Sequence, residues 1–174
     1  DIRNLYNDFI LTEIKDEDEN NVPDGLYFRK GHVSVISKTG KIIHNGVYPE
    51  TKIVNMMEQS LSVLNNESYN FLVRIAIFHY LFAYIHPFYD GNGRMTRFIS
   101  SYFLTRNLHY LTGFRLSYTI KENINNYYGS FKLTNDPKNK GDLTPFVINF
   151  FKIISTLIQD LYESLRKREE QLNF

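Results

Sequence analysis

The chain has 174 residues, of which 43% are hydrophobic and 22% charged, so it suits one domain with a substantial core. A net charge of +1 excludes the strong field expected of a nucleic-acid or membrane-surface binder. The absence of cysteine excludes disulfides and thiolate metal sites and fits a reducing, cytoplasmic setting. No signal peptide is evident, and Arg74 and His79 interrupt the best apolar run, so no membrane span is expected. The first residue is Asp1 rather than Met, as in a fragment of a longer chain. Scarce alanine with abundant Asn, Ile, Tyr, Phe and Lys suggests a bacterial source.

The first predicted element is a helix from Ile2 to Ile14 with Leu5, Phe9 and Ile10 on one face. A charged loop follows over Asp16–Asn21. Strand-forming residues at 27–29 and 32–36 flank Gly31, a turn is expected over Lys38–Lys41, and Ile42–His44 reads as the return strand of a small hairpin. Helices then dominate. Ile53, Met56, Met57, Leu61 and Leu64 recur at helical spacing, and Phe71 to Ile85 is apolar nearly all round, as in a helix buried at a domain centre. Met95, Phe98, Ile99, Tyr102 and Phe103 mark a further helix, and Ile124, Tyr127, Tyr128 and Phe131 another. After a loop over 136–141, Thr144-Pro145 supplies an N-cap and a first-turn proline for a long C-terminal helix carrying Phe146, Phe150, Ile153, Ile154, Leu157, Ile158, Leu161 and Leu165. The reading is a single all-α domain over residues 1–174, a helical bundle with one short β-hairpin, without repeat or linker.

The chemistry concentrates between two of these helices, in His86-Pro87-Phe88-Tyr89-Asp90-Gly91-Asn92-Gly93-Arg94-Met95-Thr96-Arg97. Gly91, Asn92 and Gly93 turn the chain sharply and aim successive N–H groups to one side, a nest for anions. The helix that follows adds its positive dipole end at the same place. Gly93 permits close approach of a phosphate. Arg94 and Arg97, three apart, share a helix face and form a guanidinium clamp for phosphate oxygens. Asp90 is a lone carboxylate beside the nest, the usual partner of a phosphate-bound Mg2+. His86 stands four residues earlier, where a neutral imidazole can accept a proton from an incoming hydroxyl. Proline, glycine or arginine pairs met singly mean only turns and solvated faces, but together in one loop they point to a nucleotide whose phosphate-bearing part is moved onto something else.

This stretch resembles the signature of the Fic (filamentation induced by cAMP) family: His86, Phe88, Asp90, Gly91, Asn92, Gly93, Arg94 and Arg97 all stand at the family's spacing. The resemblance implies a helical bundle with a hairpin called the flap. It also implies transfer of AMP from ATP to a Ser, Thr or Tyr hydroxyl of a protein, with Mg2+ on Asp90 and His86 as general base. Gly93 departs from the Doc variant, which carries lysine there and acts as a kinase. Other relatives move UMP or phosphocholine or remove AMP, and these stay open, as does a non-catalytic module that binds nucleotide or protein. Val33, Ser34 and Val35 match the flap edge that holds the target as an added strand. Tyr128, Phe131 and Asn135 match positions around adenine, where an aromatic face and one amide hold a base. Many relatives are restrained by a glutamate, preceded four residues earlier by Ser or Thr, that pairs with the last arginine, here Arg97. No glutamate of this chain fits that pattern, which leaves open an inhibitory segment upstream or on a partner; without one, constitutive activity is expected. A homodimer is left open.

Overall fold

The predicted first helix divides in two. In the structure, a computed structural model that describes residues 1–37 and 39–172, α1 covers Ile2–Phe9 and α2 covers Leu11–Glu17. The break is Ile10 (φ −123°), which turns its side chain into the core beneath Tyr6 and Ile14. Asp1 caps α1 through its carboxylate on the amides of Arg3 and Asn4. Phe9, expected in the core, is 59% exposed and lays its ring on Phe98.

Residues 27–29 do not form a strand. The amides of Tyr27 and Phe28 donate instead to the Glu50 carboxylate, each at 2.9 Å, so no ladder partner is needed. The hairpin is confined to β1 (Ser34–Ile36) and β2 (Ile42–Asn45), antiparallel with Ser34 opposite Asn45 and Val35 opposite His44, and a register shift between Val35 and Ile36. Of the predicted turn, Lys38 lies outside the described residues; Ser37 and Lys41 close it through Ser37 N to Lys41 O at 2.8 Å.

Six further α-helices follow among the described residues: α3 (Glu50–Asn65), α4 (Phe71–Ile85), α5 (Asn92–Asn107), α6 (Tyr110–Glu122), α7 (Ile124–Thr134) and α8 (Thr144–Leu172). α4 packs against α3, α5 and α8, and buries Ile75, Ala76, Phe78, His79, Tyr80, Phe82 and Ile85. Its all-round apolar surface is therefore used, as read from the sequence. α6 has no counterpart in the sequence reading. Its buried face is Thr112, Gly113, Leu116, Thr119 and Ile120, in which only two large apolar residues stand among glycine and threonine, too few for hydrophobic periodicity to mark. Gly113 lets α6 lie against α5, since a side chain there would run into Thr105 Oγ1 and the Ser101 carbonyl. In α8 the first half fills the core with Phe146, Phe150, Ile153, Ile154 and Leu157, while Ile158 and Leu165 are largely exposed. The Asp142 carboxylate, rather than Thr144, accepts from the opening amide of α8 at 2.9 Å. No helix among the described residues is long and apolar enough to cross a membrane.

A hydrogen-bonded polar cluster lies inside this apolar centre. His79, on α4, is fully buried and meets Ser100 Oγ of α5 at 2.8 Å and Tyr127 OH of α7 at 2.9 Å. Burial, reinforced by the Arg97 charge, pushes its pKa down to about 3, so it is a neutral cross-tie between three helices.

Candidate active site

α4 ends at His86. Proline at 87 disfavours helix for the residue before it, and His86 adopts a left-handed conformation (φ 54°, ψ 60°) while its amide still donates to Phe82 O at 3.0 Å. Its Nδ1 lies 3.2 Å from the carbonyl of Ala83. A carbonyl only accepts, so Nδ1 carries the proton and Nε2 keeps its lone pair, the tautomer of a base. Burial holds the imidazole pKa down to about 4, and the charges of Arg29 and His44 act in the same direction. The Ala83 hydrogen bond and Asp90 act in the opposite direction. His86 is therefore neutral at physiological pH, and a polyanion bound beside it would strengthen it as a base.

The loop is held from beneath. Phe88 is fully buried, stacked on Tyr6 with ring centres 3.8 Å apart and edge-on to Phe28 at 5.5 Å. Asn92 is 2% exposed, and its amide is used in both directions. Oδ1 accepts from Phe88 N at 3.0 Å, and Nδ2 donates to Phe88 O at 2.8 Å. Its side chain thus closes the loop on itself rather than facing outward. Gly91 has φ 79°, and a methyl group there would meet Ile10 Cγ2; both the conformation and the close approach require glycine.

Gly91 offers no side-chain cap to α5, so the first amides of that helix face the loop without an intrahelical partner, as an anion nest requires. Arg97 arches over Gly93, with Nη1 3.1 Å from where a Cβ would stand. Arg94 is held by Glu13 of α2 at 2.6 Å, with Asp90 at 3.5 Å and Glu17 at 4.0 Å. The sequence pattern pointed to no glutamate aimed at Arg97; the structure brings two glutamates to Arg94. The two arginines open onto a groove of about 450 Å³ between α5 and α6, walled by Phe98, Tyr102 and Phe114.

Asp90 is half-exposed, with Oδ1 on the Gly91 amide and Oδ2 toward Arg94. Among the described residues no group of three acidic or histidine side chains converges, so no all-protein metal cage exists. A single exposed carboxylate next to an anion nest fits a Mg2+ that takes its remaining ligands from phosphates and water.

Of the expected base-binding residues, Tyr128 is exposed and Phe131 is half-buried against Tyr80, Tyr127 and Phe146. Asn135 caps the end of α7, and its Oδ1 accepts from Tyr80 OH at 2.6 Å. Tyr80, not anticipated, thus orients the amide and backs Phe131; burial raises its own pKa to about 12. On the hairpin, Val33 precedes β1 and accepts from Gly46 N, Ser34 Oγ donates to Asn45 Oδ1 at 2.7 Å, and Val35 is half-buried. The edge of β1 away from β2 carries no strand partner among the described residues.

Arg29 also escaped the sequence reading. It is fully buried without a carboxylate partner, and its donors go to carbonyls: its backbone N to Pro87 O (3.2 Å), Nε to His86 O (2.9 Å), Nη2 to Val47 O (2.8 Å) and Ile85 O (3.5 Å), and Nη1 to Gly31 O. Nothing in the sequence announces it, since its partner His86 lies 57 residues away.

Fold and loop together define a helical domain in which an uncapped helix start with two arginines follows a neutral histidine. Comparison with known proteins gives this class its family. The Fic/DOC family model matches residues 1–104. The protein adenylyltransferase Fic of Drosophila mojavensis is 32% identical over 142 residues, 76% of this chain and 26% of that protein. Its counterpart from Drosophila yakuba is 37% identical over 87 residues, 50% of this chain and 16% of that protein. The crystal structure of a Fic family protein from Desulfovibrio desulfuricans superposes with a TM-score of 0.65 at 25% identity, covering 92% of this chain and 53% of the other. The chain belongs to the Fic/DOC family. It spans about a quarter of the length of the curated relatives it matches, and relatives occur in flies as well as in a bacterium.

Proposed function

We propose that this domain transfers AMP from ATP to a Ser, Thr or Tyr hydroxyl of a protein, with His86 as general base. The observation that carries this reading is the state of His86: a neutral ring whose Nδ1 proton is committed to Ala83 O, leaving Nε2 with its lone pair in the loop that leads into the uncapped start of α5. In this reading the triphosphate lies across the first amides of α5 and the Gly91–Gly93 turn, with Arg94 and Arg97 on its oxygens. The target hydroxyl attacks the α-phosphorus as Nε2 accepts its proton, a P–O bond forms, the bond to the β-phosphate oxygen breaks, and pyrophosphate leaves. Arg94 and Arg97 stabilise the charge gathering on the leaving group. Mg2+ held by Asp90 and phosphate oxygens would neutralise part of that charge. Tyr128, Phe131 and Asn135 would hold the adenine, and the free edge of β1 around Val33, Ser34 and Val35 would pair with the target segment.

The relatives' name, protein adenylyltransferase, supports AMP over UMP or phosphocholine, and the intact base supports catalysis over simple binding. The test is intact mass of the protein after incubation with ATP and Mg2+, alone and with cell extract, beside His86→Ala. One added AMP per target in the wild type and a loss of about 10²–10⁴-fold in the variant, with ATP binding retained, is the expected result. Transfer from another donor, or full activity of His86→Ala, overturns it.

A further inference from the structure

Four consecutive carbonyls run through the turn that carries the base, from Ile85 to Phe88. Phe88 O is taken by Asn92. The three before it, Ile85, His86 and Pro87, all accept from Arg29, through Nη2, Nε and the backbone N respectively. The same guanidinium reaches the two ends of the hairpin, Gly31 O where the chain enters it and Val47 O where the chain leaves it. Val47 N in turn donates to Ile85 O at 3.0 Å. One side chain therefore joins the base-carrying turn to the hairpin.

The placement is expensive. A fully buried guanidinium normally has a carboxylate beside it; this one has neutral carbonyl dipoles only, and burial lowers its pKa. A left-handed conformation at a non-glycine residue is also unfavourable, yet His86 adopts it where the Arg29 donors converge. Arginine's planar fork suits several carbonyls at fixed angles; a lysine ammonium does not.

We propose that Arg29 is a positioning residue for the reaction: its carbonyl contacts fix the turn at His86, and with it the distance between the base and the hairpin that presents the target. The proposal rests on the AMP-transfer reading given above. It accounts for the division of labour in the site, since the phosphates are held by α5, which Arg29 does not touch. The charge has a second effect. The groups facing His86 are Arg29 before the hairpin, His44 on β2 and Asp90 in the loop, and Arg29 is the largest charge pushing the imidazole toward its neutral form. Gly46 belongs to the same arrangement: a side chain there would strike Arg29 Nη2 and crowd His86 Cβ.

The experiment compares Arg29→Lys, Arg29→Gln and Arg29→Met with wild type in two readouts. The first is steady-state AMP transfer. A displaced base lowers kcat by about 10²-fold while KM for ATP stays within about threefold. The second needs no activity: a long-range 15N–1H spectrum of the imidazole ring, with His86→Ala for assignment. The His86 titration midpoint rises in the neutral Gln and Met variants and stays near wild type in the Lys variant. Should Met fail to fold, Lys and Gln decide. Unchanged kcat, or kcat and ATP binding falling together with thermal stability, overturns the proposal, as does an unmoved His86 titration. If wild type transfers no nucleotide from any donor, the AMP-transfer reading fails, while the titration still reports whether Arg29 governs His86.

Discussion

Asn92→Ala separates two roles for one residue. An asparagine between two phosphate-loop glycines reads from the sequence as a ligand for the nucleotide; in the structure its amide spans the backbone of Phe88 in both directions. Truncation leaves a buried N–H and a buried C=O without partners, each costing about 1–3 kcal/mol, against which no apolar burial is gained. Taking a middle value for both groups with some relaxation gives about 3 kcal/mol. For a chain of this size each kcal/mol lowers Tm by about 2–4 °C, so the variant should melt roughly 9 °C below wild type. The assay is thermal unfolding of both proteins without nucleotide, alongside KM for ATP. A Tm within about 2 °C of wild type combined with a tenfold rise in KM would show that the amide serves the phosphates and that the loop does not depend on it.

Other consequences are as direct. His79 and His86 are buried neutral with pKa values of about 3 and about 4, below the unfolded value near 6.5, so the unfolded chain binds more protons and stability rises with pH across that gap. Lowering pH from 7.5 to 5 should cost about 2 kcal/mol for each histidine in urea unfolding, and equal stability at the two pH values would contradict their burial in the neutral form. Glu13→Gln frees Arg94 of its 2.6 Å partner, a half-exposed pair worth at most about 1 kcal/mol. KM for ATP should fall by up to about fivefold, and a higher KM would mean that Glu13 orients Arg94 rather than competing for it. Gly91→Ala forces a left-handed alanine and sets its methyl against Ile10, so it should lose at least about 2 kcal/mol and most activity; wild-type melting would disprove the close contact.

The site was legible where its chemistry is local. His86, Asp90, the glycine turn and both arginines lie within one loop and one helix start, and Pro87 and the glycines declare that geometry by their backbone restrictions alone. What holds the loop was not legible. Arg29 looks like a strand residue in Tyr27-Phe28-Arg29, and Tyr6 like one more apolar helix position; their roles come from partners 57 and 84 residues away. Glu13 carries no signal of its target for the same reason. α4 could be read because it is apolar on every side, whereas α6 could not, because only Leu116 and Ile120 of its buried face are large and apolar, the rest being Thr112, Gly113 and Thr119. Ile10 shows the limit of periodicity: it keeps the helical spacing with Tyr6 and Ile14 while the backbone breaks beneath it.

The floor under the phosphate loop is a short helix. Tyr6 stacks on Phe88 and donates to Asp90 O at 3.3 Å, and Ile10 abuts Gly91. Helices of this length at a domain's periphery fray far more often than the core unfolds. When α1 lifts, Phe88 and Gly91 lose their support while α4 and α8 stay folded. Opening of α1 would therefore uncover the loop without unfolding the bundle, and amide exchange at Gly91 and Asn92 should track the departure of α1 rather than global unfolding.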